Sequence, residues 1–173
     1  MVAICYREDV SRRTFVFILL GVGIVAVALG VTLYLTRGTH IRLEGAIQQY
    51  RTLAVEDYAS LAFLDFRITN PADYPSVVKK VTVTITTSKG HKVVGENIAE
   101  IDARRIFDFY QHLGPKYNET LLARERIPPK ATWDRMIGVR LDAPEASIRQ
   151  PKEIRLRIDD VDGAFSELVR RAP

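Results

Sequence analysis

The chain has 173 residues and a formal net charge of +4. Once an apolar N-terminal segment is set aside, about 135 residues remain, enough for one domain with a real core and too few for a second independent one. From Gly38 onward there are 21 Lys/Arg against 19 Asp/Glu, and no basic run exceeds two residues; a charge spread this thinly speaks against nucleic acid as a partner.

Met1 to Arg13 is a short polar tail, expected to be cytoplasmic. Residues 14–36 then read TFVFILLGVGIVAVALGVTLYLT without one charged side chain. As a helix this stretch covers about 35 Å at roughly 1.5 Å per residue, against a bilayer core of about 30 Å. It is expected to cross a membrane once. A cleaved signal peptide fits less well: the apolar run exceeds an h-region of about 7–15 residues, and Arg37-Gly38-Thr39-His40 offers no small-residue cleavage site. Arg7, Arg12 and Arg13 precede the span, and Arg37 and Arg42 follow it. This bias favours a cytoplasmic N-terminus, with residues 41–173 on the periplasmic or extracytoplasmic side of a bacterial inner membrane. Cys5, the only cysteine, falls on the cytoplasmic side, so the outer domain is expected to be stabilised by packing and not by disulfides.

Within the span, Gly23, Ala26 and Gly30 recur at spacings of three and four and share one helix face. Small residues there let a second transmembrane helix approach closely. An integral membrane protein partner, or self-association through the anchor, is therefore expected alongside the lipid bilayer.

After a linker at 37–40, the pattern becomes β-like. Ile41, Leu43, Gly45 and Ile47 alternate with polar or small residues. In LAFLDFRITN, Ala62, Leu64, Phe66 and Ile68 point one way, and Phe63, Asp65, Arg67 and Thr69 the other, the period of a strand with one buried face. Asn70-Pro71 ends it. VVKKVTVTITT places Val81, Val83 and Ile85 opposite Thr82, Thr84 and Thr86, and Ser88-Lys89-Gly90-His91 turns it into HKVVGENIA, a hairpin.

Next, IDARRIFDFYQHLG carries Ile106, Phe109 or Tyr110, and Leu113 at helical spacing, with Asp102 as cap and Gly114-Pro115 as stop. Three strands are expected to follow: LLARERI, TWDRMIGVRLDA and EIRLRI. In the second, Arg135 shares the parity of Ile137, Val139 and Leu141, which requires either a bulge near Asp134 or an Arg135 that reaches the edge. AFSELVRRA is read as a short C-terminal helix. About seven strands with little helix and no βαβ alternation imply a mainly β fold: an N-terminal transmembrane helix followed by an antiparallel, immunoglobulin-like β-sandwich with one inserted helix.

The stretch DFRITNPADYPSVVKKVTVTITTSKG resembles late-embryogenesis-abundant type 2 and related water-stress domains, and also bacterial membrane-anchored immunoglobulin-like domains. The matching residues are Phe66 to Pro71, Val77 to Ile85 and Ser88 to Gly90; IPPKATWDRMIGVRL resembles a later segment of such domains. The resemblance implies a sandwich without an active site, in a binding, structural or stress-protective role.

No sequence motif carries catalysis. His40, His91 and His112 are far apart and lack metal-ligand spacing. There is no G-x-S-x-G and no phosphate loop. The expectation is a non-catalytic protein without a cofactor: an accessory or assembly subunit of a membrane complex or, alternatively, an envelope ligand-binding module. Asp159, Asp160 and Asp162 form an acidic turn, DDVDG, that fails the EF-hand pattern and is read as a turn, with a looser cation site left open. Arg124/Arg126 and Arg155/Arg157 repeat at i,i+2 and are read as solvated faces balanced by Glu125, Glu153, Asp159 and Asp160. Asn118-Glu119-Thr120 is a glycosylation sequon. Phe107, Phe109, Tyr110 and Tyr117 crowd the single helix. With Phe107 opposite Phe109 and Tyr110, an aromatic is expected to stay exposed, which makes Phe107, Phe109 and Tyr110 the candidate partner surface.

Overall fold

The computed structural model describes the backbone of residues 3–36 and 42–172, and the side chains of 14–32 and 42–172. Cys5, Arg7, Arg12, Arg13, Arg37, His40 and Ile41 are outside the described residues or side chains, as is the 37–40 linker. The chain divides into two compact units at Thr39/His40.

The first unit is one helix, α1 (Ala3–Thr36). Helical backbone thus begins well before the apolar span, inside the stretch read as a polar tail. Its most apolar part, Thr14–Thr32, has a mean hydropathy of 2.7 and no buried residue. The unbroken helix sets Gly23, Ala26 and Gly30 on one face, and no other side chain crowds either glycine.

The second unit is built from β1 (Glu44–Glu56), β2 (Ala59–Thr69), β3 (Ser76–Thr86), β4 (Lys92–Val94), β5 (Glu96–Asn97), helix α2 (Glu100–Phe109), β6 (Arg126–Ile127), β7 (Thr132–Leu141), the single-turn α3 (Glu145–Ile148), β8 (Glu153–Asp160) and β9 (Phe165–Arg171). One sheet runs β1-β2-β7-β5, and the other β4-β3-β8-β9 with β6 paired to β3. Every strand pairing is antiparallel. These are the A-B-E-D and C′-C-F-G orders of an immunoglobulin-like Greek key, so the fold is the expected β-sandwich with an inserted helix.

The inner faces build the main core. Phe66, Ile68, Val83, Ile85, Val139, Leu156 and Ile158 are all buried there, as the alternation predicts. Asn70 does more than end β2. Its side chain is buried, donates to the carbonyls of Tyr74, Ile127 and Pro128, and accepts from the Ala72 N–H. β7 pairs with β2 without a bulge, from Ser60↔Leu141 to Thr69↔Thr132. Arg135 instead lies beyond the two-residue β5, stacked over Trp133 at 4.3 Å and ion-paired with Glu125.

Several expectations are corrected. LLARERI is not a strand: only Arg126–Ile127 pairs, and Arg124 has a φ of 67°, so Arg124 and Arg126 do not share a strand face. AFSELVRRA is β9 and not a helix; Ser166 and Leu168 turn inward while Glu167 and Val169 stay exposed. Helix α2 starts at Glu100, with Ala99 as an extended cap that makes no side-chain bond. Asp102 lies in the first turn, where a carboxylate complements the helix dipole. The helix buries Ala103 and Phe107, four residues apart, and not a face through Phe109.

The largest correction concerns the second face of β2. Phe63 and Asp65 do point away from the main core, yet both are buried. Helix α2 and the 3-10 turn Gln111–Leu113 lie across that side of the first sheet. They close a second apolar cluster of Leu53, Phe63, Ala103, Phe107, Leu113 and Met136. Gly138, opposite Phe63 in the register, makes room for it: a Cβ there would come within 2.9 Å of the Phe63 ring.

Candidate functional site: a clamped loop on the first sheet

The polar residues of greatest chemical interest meet beneath α2. Arg51 on β1 reaches Asp65 on β2 at 2.6 Å, with side-chain exposures of 8% and 3%. Two charges this far from water persist only when geometry and extra hydrogen bonds offset desolvation. Both residues draw such support, although Arg51 Nε is buried without a hydrogen-bond partner. Arg51 Nη1 donates to the carbonyls of Leu113 and Pro115, and its guanidinium stacks over Phe107 at 4.6 Å and Tyr117 at 5.5 Å. Asp65 Oδ1 accepts from Asn118 Nδ2 at 2.9 Å.

The loop after the 3-10 turn is held from the other side as well. Glu100, in the first turn of α2, binds Lys116 Nζ at 2.9 Å and accepts from the Thr120 N–H. Burial pushes the Glu100 carboxyl up; the bonds from Thr120 and Lys116 outweigh that and hold it down at about 2. Lys116 also donates to the Asn118 carbonyl, and Thr120 bridges to Met136 of β7. Tyr117 and Asn118 are therefore presented from a short loop pinned at Pro115, Lys116, Asn118 and Thr120.

Beside the loop is an open depression of about 480 Å³, lined by Gln48, Gln49, Asp65, Tyr117, Asn118 and Asp134. The strand register assembles it. Gln49 lies opposite Asp65, and Asp134 opposite Arg67 on the same outer face. A register shift between Ile47 and Gln49 makes Gln48 the extra residue of a β-bulge, a device that re-aims side chains. Asp134 accepts from Arg67 Nε and Nη2, both at 2.8 Å, and these bonds lower its pKa. Tyr117 is 64% exposed.

A second cleft, of about 500 Å³, opens beside Tyr50 and Ile154, with Arg149, Arg170 and Arg171 along it. Two of its guanidinium groups are already engaged, Arg149 by Glu145 and Arg171 by Glu153. The Tyr50 hydroxyl donates to the Ile148 carbonyl; burial first, then the Glu145 charge, pushes its pKa up.

The expected site residues separate. Phe107 is buried against Phe63, 4.8 Å between ring centroids, so it belongs to the second core and not to a partner surface. Phe109 is 78% exposed and meets half-buried Tyr110 edge-on at 4.9 Å. Arg155 and Arg157 do share the outer face of β8, compensated by Glu153, Glu167 and Asp159. Asp160 is spent on the fold. It accepts from Ser76 Oγ and from the N–H groups of Val77 and Asp162. Among the described residues no His/Cys/Asp/Glu group has the arrangement of a metal site. Sequence reasoning missed Arg51, Gln48 and Gln49 altogether and left Asp65 on a solvated face. The available signal was Asp65 itself, a carboxylate between Leu64 and Phe66 in the middle of an apolar strand.

No family model and no curated protein matches the chain. Two solved structures are similar to it at 12% identity. An uncharacterized β-sandwich protein from Clostridium difficile 630 has a TM-score of 0.38, with 78% of this chain and 87% of that one covered. A functionally unknown protein from Listeria monocytogenes EGD-e has a TM-score of 0.42, with 76% and 78% covered.

Proposed function

We propose that the chain is a single-pass membrane protein with a cytoplasmic N-terminus, which presents its immunoglobulin-like sandwich outside the inner membrane as a non-catalytic accessory or assembly subunit of a membrane complex. The observation that carries this reading is the Thr14–Thr32 span, strongly apolar and within one unbroken helix long enough to cross a bilayer. The face of Gly23, Ala26 and Gly30 fits close approach by another transmembrane helix. In the sandwich, Arg51, Asp65 and Asp160 support a non-catalytic role, because each is engaged by partners that hold the fold together.

Two measurements test it. A reporter enzyme fused after Pro173 is expected to be active only outside the cytoplasm; cytoplasmic activity refutes the orientation. Mild detergent extraction followed by native mass analysis is expected to recover a stoichiometric partner or a homo-oligomer. Replacing Gly23 and Gly30 with Ile is expected to abolish the association while insertion persists. Recovery of a monomer alone refutes the subunit role.

A second reading is an envelope ligand-binding or stress-protective module. The depression beside Tyr117 favours ligand binding, because its walls are polar, pre-oriented and open.

A further inference from the structure

We propose that the depression beside Tyr117 is a binding site for a neutral carbohydrate. Its lining sorts candidate ligands by charge. The carboxylates there are Asp65 and Asp134, and each is already neutralised, Asp65 by Arg51 and Asp134 by the two-bond contact with Arg67. A cation entering the depression gains no unpaired charge, and an anion meets two carboxylates. What remains on offer is hydrogen bonding. Amide side chains present a donor and an acceptor together, which is the pairing that a sugar hydroxyl, itself donor and acceptor, can use. Gln48 and Gln49 supply two such amides, and Asn118 a third whose Nδ2 already gives one hydrogen bond to Asp65.

Tyr117 supplies the apolar part. Its ring is 64% exposed and sits over the Arg51 guanidinium. The negative face of an aromatic ring attracts the weakly positive C–H face of a pyranose, as it attracts other positive edges. A volume of about 480 Å³ lies within the range of about 300–1,000 Å³ common for small-molecule sites. The site is also built in advance. Asp65, 3% exposed, orients Asn118, and Glu100 pins the loop through Lys116 and Thr120. Less ordering on binding leaves more of the contact energy as affinity. The inference does not depend on whether the anchor recruits a membrane partner, because binding and co-purification are separate readouts.

The test is calorimetry on the full chain in detergent micelles with chitotetraose and maltotetraose, and with glucosamine and glucuronate as charged controls. At least one neutral tetrasaccharide is expected to bind with a Kd below about 1 mM, near −4 kcal/mol. Tyr117→Ala and Gln49→Ala are each expected to weaken that binding about tenfold, near 1.4 kcal/mol, with circular dichroism unchanged. Tyr117→Phe, which keeps the ring, is expected to restore it. Three outcomes overturn the proposal: neither tetrasaccharide binds at millimolar concentration, a charged control binds more tightly, or affinity is indifferent to Tyr117→Ala in a folded variant.

Discussion

Arg51 and Asp65 meet at 2.6 Å across neighbouring strands, Arg51 stacked on Phe107 of α2 and Asp65 bonded to Asn118 of the loop that follows. Neither lies in the main core, and together they fasten to the first sheet the strap formed by α2 and the loop that follows it. Arg51 reaches the Leu113 and Pro115 carbonyls, and Asp65 reaches Asn118. Removing one partner of such a pair leaves a buried charge uncompensated. Arg51→Met is expected to cost about 3–5 kcal/mol, measured by urea unfolding followed through Trp133 fluorescence. The double variant Arg51→Met/Asp65→Leu is expected to cost less than the two single changes added together, since the second removes the orphaned charge. A cost for Arg51→Met near that of an exposed arginine would mean that hydrophobic burial alone holds the strap.

Glu100 gives the strap an acid limit. Its folded pKa of about 2 lies below the ordinary 4.5. A carboxyl lowered on folding adds its full stability above the ordinary pKa and loses it as pH falls toward the folded one. The parent is therefore expected to be more stable than Glu100→Gln at pH 7, and the gap should close between pH 4.5 and about 2. Thermal melts of both proteins across that window check it. A gap that holds constant down to pH 2 would place the acid sensitivity elsewhere.

Phe66 and Thr84 test the assignment of faces. Phe66 is fully buried between the sheets, and Phe66→Ala is expected to cost about 3–5 kcal/mol. Thr84 sits half-buried on the outer face of β3, and Thr84→Ala should stay within about 0.5 kcal/mol. Equal costs in chemical denaturation would place the wrong face inside.

Alternation was legible wherever one side of a strand meets solvent. β3 and β8 show it plainly, with Val81, Val83 and Ile85 against threonines and Ile154, Leu156 and Ile158 against arginines. It failed where both sides are covered. β2 alternates only from Leu64 to Thr69, and the apolar run Leu61-Ala62-Phe63-Leu64 hints at two covered faces, yet the element that buries Phe63 and Asp65 comes from a distant part of the chain. The far half of β1 was hidden for a related reason: Gln48 and Gln49 sit at a bulge that breaks the period, and Arg51 is a charged residue in an enclosed position. In α2 a helical stripe was visible, but Phe107 and Phe109 compete for it, and only contact with Phe63 decides between them. SELV in β9 fits either period; pairing with β8 settles it as strand. The Tyr117 depression draws on four separated segments, and no single segment carries its signal.

The acidic turn after β8 separates two readings through Asp160 and Asp162. If DDVDG were a cation loop, its aspartates would serve together, and removing either would abolish a metal response. The geometry divides them instead. Asp160 is buried at 6% exposure, with Oδ2 taken by Ser76 Oγ and the Val77 N–H and Oδ1 by the Asp162 N–H. Its backbone carbonyl also accepts from Gly163, whose φ of 87° closes the turn. Asp162 contributes its N–H here, while its side chain is on an exposed residue. Asp160→Ala strands three donors, two of them on the opposing β3, and is expected to cost about 1–3 kcal/mol. Asp162→Ala is expected to lie within about 0.5 kcal/mol of the parent. Neither the parent nor the Asp162 variant should gain thermal stability from millimolar calcium, because the Asp160 oxygens are already taken by the protein. A calcium-dependent rise in Tm that vanishes in Asp162→Ala would reverse the assignment and make the turn a cation site.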